Sequence, residues 1–267
     1  MENDIRAPVV ILIRHFASED EIIFSKSNAA CIFHRACIEF GDGELIMQAY
    51  LRWGTDCPLH LLGDFAFVIW DPRHRRIFAA RDKVGMKQLI YHNKDGKVFA
   101  CASDAMALLR HPDVPRRINE ARIADAIEGF EAIDLTSTFF CDLFRLPPAH
   151  GLLIENGAMR SWRYWQLTPT SVVHRANDAA YAEALLDVLR QAVKARMRSS
   201  GPVGSMLSGG LDSGSVSAIA AELLLEAGAP PLQTFSAIDD DPECLESRAI
   251  RAALGIKHID PQLVSLA

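Results

Sequence analysis

The stretch Ser208-Gly209-Gly210-Leu211-Asp212-Ser213-Gly214-Ser215 decides the fold of the C-terminal part of the chain. It follows an apolar run, 203–207, that reads as a strand, and it opens an Ala-rich segment, 213–227, that reads as a helix. A strand, a glycine turn and a helix in that order make an anion cradle. Two adjacent glycines let the backbone turn tightly and approach a ligand closely. Ser208 and Ser213 add hydroxyl donors. The first amides of the helix point at the same spot and carry the positive end of its dipole. That geometry suits phosphate or pyrophosphate. The pattern GxxxxGK[ST] is absent and no lysine follows the glycines, and the pattern is not GxGxxG either. A loop without that lysine fits cleavage between the α- and β-phosphates better than γ-phosphoryl transfer. Asp212 cannot bind an anion directly, so its role would run through Mg2+, which takes carboxylate and phosphate oxygens together.

Outward from the loop, residues 178–198 are helical in pattern, with Tyr181, Leu185, Val188, Leu189, Ala192 and Ala195 on one face. Beyond it come a strand at 232–237, a helix at 244–254 and a strand start at His258. Strands alternating with helices imply a parallel, right-handed α/β sheet. Doubly wound sheets have about five strands, so a domain over 178–267 reads as incomplete. Residues 168–177 are polar and aperiodic and read as a linker.

Residues 1–167 have a different texture, that of a mostly antiparallel α+β domain. Strands are expected at 9–13, 65–70, 76–80, 89–92 and 98–102, with 22–24 as a hairpin partner of the first. The apolar run 65–70 is closed by Asp71-Pro72, a turn signal. A hairpin is expected at 93–96, and Asn156-Gly157 is the strongest short hairpin signal, between strands at 151–155 and 160–165. Helices are expected at 43–53, at 119–129, and from a Ser103 cap through Leu109.

The chain has 267 residues, 49% hydrophobic and 23% charged, with net charge -6 and pI near 5.8. That composition is globular and excludes disorder over most of the length. The acids are scattered and no basic footprint for nucleic acid is visible. Six irregularly spaced cysteines make no disulfide framework, and no CxxC pair suggests a zinc ribbon. The apolar run near the start is too short to span a bilayer and lacks a secretory cleavage site. The expected location is the cytoplasm, with no membrane and no nucleic-acid partner.

The string SGGLDS, placed after a strand, resembles the PP-loop of ATP pyrophosphatases. Further segments resemble the asparagine synthetase family, in family order. Leu62-Gly63-Asp64-Phe65-Ala66-Phe67-Val68-Ile69-Trp70-Asp71 resembles L-x-G-x-F-A-F-x-I-W-D. Ala80-Arg81-Asp82-Lys83-Val84-Gly85-Met86-Lys87 resembles A-R-D-x-x-G-x-K, with Gln88 in place of the following proline. Phe99–Ser103 resembles F-A-S-E; 145–150 and 163–165 resemble R-L-P-P-G-H and R-Y-W. The resemblance covers most of the chain from about Asp42 to Asp260, and it is also shared with lasso-peptide cyclases and β-lactam synthetases. It implies a glutaminase-like domain of the Ntn-type αββα fold, followed by a PP-loop synthetase domain of the adenine nucleotide α-hydrolase type. The implied chemistry is Mg-ATP-dependent adenylation of a carboxylate such as aspartate, then amide formation with release of AMP and pyrophosphate. By position, Leu207 and the backbone near Ala237 would flank adenine and ribose. Ser208, Gly209, Gly210, Leu211, Asp212 and Ser213 would line the pyrophosphate end, with Mg2+ on Asp212.

Two departures follow. The family's glutaminase nucleophile is a Cys after the initiator Met, with its own free amine as base; here position 2 is Glu2, and the nearest cysteine is Cys31. Glutamine hydrolysis is therefore not expected. Asp42 occupies a glutamine-binding position of the family, now vestigial, and is expected to serve as a helix N-cap. The family's later S-G-E-G-x-D-E motif is also absent, so the chain reads as C-terminally truncated, with a complementing chain or a homodimer as possible partners. A lactam-forming ligase and a non-catalytic remnant stay open as alternatives. Trp53 and Trp70 read as core, His150 and Trp165 as packing residues, and Arg81 with Asp82 as an internal charge pair.

Overall fold

A computed structural model describes residues 9–12, 22–25, 42–94, 98–130, 134–168, 172–199, 201–239, 241 and 243–265, with backbone only for 9–12, 22–25 and 42. The chain forms two compact units, residues 1–169 and 170–267.

The first unit has four layers, α, β, β, α. One sheet has the order β1-β3-β4-β8-β9, all antiparallel, from β1 (Val9–Leu12), β3 (Ala66–Asp71), β4 (Arg76–Arg81), β8 (His150–Glu155) and β9 (Ala158–Arg163). The other has the order β2-β6-β5-β7, from β2 (Ile22–Ser25), β5 (Ile90–Lys94), β6 (Val98–Ala102) and the short β7 (Phe144–Arg145). Ala66, Val68, Ala79 and Leu152 of the first sheet meet Leu89, Phe99 and Cys101 in one core. The opposite face of the first sheet, with Phe67, Ile69, Phe78 and Leu153, packs on Ile46, Ala49 and Tyr50 of α1 (Asp42–Trp53). The outer face of the second sheet packs Ile90, Ala100 and Ala102 on Leu108 of α2 (Ala105–Leu108). A strand covered on both faces loses its apolar alternation, which is why 65–70 reads as an unbroken apolar run.

Several expectations are corrected. The strands at 9–13 and 22–24 form, as β1 and β2, but they are not hairpin partners. β1 pairs with β3 and β2 with β6, in different sheets. The cap of α2 is Asp104, not Ser103: its carboxylate accepts from the Met106 amide at 2.8 Å. Trp53 is 37% exposed and stacks on His60 rather than entering the core. Trp70 is half-buried against the inter-sheet core. Asp42 is the first residue of α1 rather than the cap before it, and its side chain lies outside the described residues, as do Glu2, Cys31 and the 95–97 part of the expected turn.

The hairpin between β8 and β9 turns on Asn156 (φ 53°) and Gly157 (φ 82°), so both central residues are left-handed, as a tight two-residue turn requires. Gly157→Ala should cost about 1 kcal/mol, the penalty of a Cβ in that conformation. Urea unfolding followed by fluorescence of Trp162, in the adjoining strand, measures it.

In the second unit, β10 (Gly204–Met206), β11 (Leu232–Ile238) and β12 (Ile259–Ser265) form a parallel sheet in that order. They alternate with α5 (Leu211–Glu226) and α6 (Leu245–Ala253), and α4 (Asp178–Arg196) precedes them, capped by Asn177. Ile219, Ala220 and Ala221 of α5 pack with Val193 of α4 and Leu232 of β11. The apolar face expected along α4 is only partly used. Leu189, Val193 and Met197 meet the core, whereas Tyr181, Leu185 and Val188 stay exposed. Their spacing predicts a helix correctly, but among the described residues the core contacts of α4 come from its C-terminal half, where Arg190 also pairs with Glu222 and Glu226 of α5.

Candidate nucleotide cradle

The loop 208–215 leaves the C-terminal end of β10 and enters α5. Leu207, just before it, is wholly buried. Its amide donates to the Phe235 carbonyl at 2.9 Å, and its own carbonyl accepts from the Ser236 hydroxyl at 2.6 Å. The loop therefore starts from a residue tied on both sides to β11. With its side chain in the core, Leu207 can offer a ligand backbone atoms only.

Ser208 and Ser213 face each other, with their hydroxyl oxygens 2.9 Å apart. The Ser208 amide donates to Ser213 Oγ at 3.2 Å, and Ser213 Oγ donates to the Gly210 carbonyl at 3.3 Å. Gly210 is the N-cap of α5 and brings no capping side chain. The first intrahelical bond is Gly214 N to Gly210 O at 2.9 Å, so the amides of the first turn have no helix carbonyl to bond. These donors and the exposed Ser208 converge at the positive end of a 16-residue helix. Gly209 sits at φ +75°, and a Cβ built there would lie 2.6 Å from the Ile250 amide nitrogen of α6. The close approach expected of these glycines is thus made, in part, to a protein neighbour.

The residues fit a phosphate group: hydroxyls, free amides and no side chain filling the turn. Asp212 is exposed in the first turn of α5, and Leu211 is 86% exposed beside it. Among the described residues no cluster of three or more His, Cys, Asp or Glu could hold a metal ion by itself. A divalent cation here would rest on Asp212 and on phosphate oxygens, the habit of Mg2+. Ala237 lies exposed in β11, in register with Val264 of β12.

Two polar residues of this region had no sequence signal. Ser236 is a core position of β11, and Ser247 a core position of α6, whose hydroxyl accepts from the Asp239 amide at 2.8 Å. Neither stands in a motif. Cys244 precedes α6, and hydrogen bonds from the Ser247 hydroxyl and from the Ser247 and Glu246 amides hold its thiol below the usual range against the opposing effect of burial.

In the first unit the Arg-Asp motif is a backbone knot rather than an ion pair. Arg81 donates to the carbonyls of Gly85, Lys87 and Leu146, the last at 2.8 Å. Asp82 accepts from the amides of Val84, Met86 and Lys87 at 2.9–3.2 Å. His150 Nδ1 lies 2.7 Å from the Pro148 carbonyl, and Trp165 lies under Lys83, so both serve the fold. Cys57 and Cys101 are fully buried, and burial pushes both thiols up to about 12, so neither is a thiolate at neutral pH. No helix among the described residues is long and apolar enough to cross a membrane.

Comparison with known proteins finds two family profiles. One described as a glutamine amidotransferase domain matches residues 33–165, and one described as asparagine synthase matches residues 184–264. Among curated relatives, the chain is 32% identical over 195 residues to asparagine synthetase [glutamine-hydrolyzing] 3 of Bacillus subtilis, covering 73% of this chain and 31% of that protein. It is 30% identical over 200 residues to a putative asparagine synthetase [glutamine-hydrolyzing] 2 of Methanocaldococcus jannaschii (73% and 37%). It is 29% identical over 238 residues to Amidase chyE of Penicillium rubens (84% and 34%). The chain spans about a third of the length of these relatives.

Proposed function

The chain belongs to the asparagine synthetase family, an amidotransferase and ligase family, and from that premise we propose that its second unit binds Mg-ATP and adenylates a carboxylate. The observation that carries the reading is the Ser208–Ser213 pair at the start of α5, with free amides beside it and no lysine after the glycines. Such a site holds the β,γ-pyrophosphate as a leaving group and leaves the α-phosphorus open to attack. In the proposed reaction a carboxylate oxygen attacks the α-phosphorus, the bond to the bridging oxygen breaks, and pyrophosphate departs with its electron pair. An amine or ammonia then adds to the acyl carbon and loses a proton, and AMP leaves. Aspartate is the carboxylate that the family membership supports.

Ser208, Ser213 and the first amides of α5 would hold the pyrophosphate, and exposed backbone near Ala237 would meet the adenine end. Asp212 would hold Mg2+, whose contribution is to neutralise charge on the phosphates. Glutamine has no role in the proposal. Among the described residues of the first unit, the buried thiols of Cys57 and Cys101 are protonated at neutral pH. Ammonium is the nitrogen source it predicts.

The test is ATP–pyrophosphate exchange on the purified chain with Mg2+ and aspartate. Exchange is expected, with a fall of about tenfold to a hundredfold in Asp212→Ala. Amide formation is then expected with ammonium and not with glutamine. A folded chain without exchange for aspartate or any other carboxylate offered would overturn the reading.

A further inference from the structure

We infer that Ser247 is a positioning residue for the nucleotide cradle, acting through α6; the inference rests on reading the loop 208–215 as that cradle. Ser247 is 1% exposed. Its hydroxyl accepts from the amide of Asp239, the residue after β11. The pairing of β11 with β12 ends at Ile238, so Ser247 is the partner that carries order one residue beyond the sheet. Two and three positions further along α6 stand Ala249 and Ile250, whose backbone forms the wall against which Gly209 is seated.

The chain of contacts is short and continuous. β11 holds the root of the loop through Ser236 and Leu207. Ser247 holds α6 to the end of β11. The backbone of α6 then limits where Gly209 can lie. Apolar packing is non-directional and lets a helix slide on a sheet, whereas one buried hydrogen bond fixes direction and register. The Gly209 seat leaves no room for a methyl group, so a small drift of α6 opens the wall or closes the loop. A cradle held in shape before its ligand arrives binds more tightly, because less ordering is left to do.

The test is Ser247→Ala, which deletes the hydroxyl in a helix that tolerates alanine. Two quantities are read on the full chain, well below its melting temperature. One is the dissociation constant for Mg-ATP. The other is amide hydrogen exchange at Asp239 and across 208–213. Expected are a dissociation constant raised about tenfold and faster exchange in both segments, with α4 unchanged. Ser247→Thr, which keeps the hydroxyl, should restore most of the affinity. A lowered melting temperature with unchanged affinity and unchanged loop exchange would reduce Ser247 to a packing residue and overturn the inference. If the wild-type chain binds no ATP, the nucleotide reading fails, and loop exchange alone then decides the positioning role in the same way. Ser247→Cys, of similar size with a weaker acceptor, is read identically if the alanine variant does not fold.

Discussion

Gly209→Ala is expected to abolish the nucleotide binding proposed for this loop and to destabilise the second unit by about 2–5 kcal/mol, the sum of two costs. A non-glycine residue in the left-handed region costs roughly 1–2 kcal/mol, and Gly209 lies at φ +75°. The added methyl would also lie 2.6 Å from the Ile250 nitrogen and 2.9 Å from the Ala249 carbonyl carbon and Cβ. These are helix atoms, not the free end of a flexible side chain, and overpacking of this kind costs about 1–3 kcal/mol. Either α6 retreats, against the Ser247 tie, or the loop swings into the space the phosphates would occupy. Gly210→Ala is the control. Gly210 has an ordinary extended φ of -72°, and its Cβ would meet only Ser208 Oγ at 3.5 Å. Urea unfolding by far-ultraviolet circular dichroism, beside Mg-ATP titration, separates the two variants. Equal, mild effects at both glycines would mean that the seat on α6 does not constrain the loop.

Local chemistry was readable wherever it sets local structure. Asn156-Gly157 marks a turn because both residues tolerate positive φ, and the structure puts both there. Asn119 caps α3 (Glu120–Ile127), accepting from the Arg122 amide, at the start of the helix that the pattern at 119–129 predicts. The loop 208–215 could be placed between strand and helix because glycines, serines and apolar flanks each exclude other arrangements. Pairing between distant strands was not readable. Nothing in Ile22–Ser25 names β6 as its partner, since any β-branched strand fits a pleated surface. The two-residue β7 carries no period at all and exists because β5 offers it hydrogen bonds. Exposure was equally hidden: Trp53 and Leu185 satisfy a helical stripe, yet a stripe does not say how far the covering element extends. In the loop 208–215 the glycines and serines were legible as a strand-to-helix turn. The bonds of Ser236 and Ser247 were not legible, because a serine inside a strand or helix looks the same whether or not it bonds to a third element.

Asp71→Ala is expected to cost the first unit about 3 kcal/mol or more, the range for removing one partner of a buried charge. Asp71 closes β3 with no solvent exposure. Its carboxylate accepts from Tyr50 Oη at 2.9 Å, from the Arg73 amide at 3.1 Å and Nε at 3.2 Å, and faces His74 Nδ1 at 2.8 Å. Arg76 stands 3.9 Å away and also donates to Tyr50. His74 and Arg73 are open to water and can re-solvate, so their share is small. The loss falls mainly on Tyr50, a buried residue whose hydroxyl burial pushes up to about 12, and on Arg76, which would keep only the more distant Glu155 carboxylate at 4.0 Å. Burial by itself would raise the Asp71 carboxyl. The hydrogen bonds from His74, Arg73 and Tyr50 outweigh it and hold the group well below the usual carboxylate range. A folded-state value below the unfolded one of about 4 contributes stability above pH 4, which is lost as pH falls towards the folded value. The gap between wild type and Asp71→Ala should therefore be widest at pH 6–8 and shrink once the pH drops below about 4. Guanidinium unfolding at pH 7 and pH 3, followed by tryptophan fluorescence, reads that gap directly. A gap of the same size at both pH values would trace the cost to lost packing around Tyr50 and Phe78, not to the carboxylate.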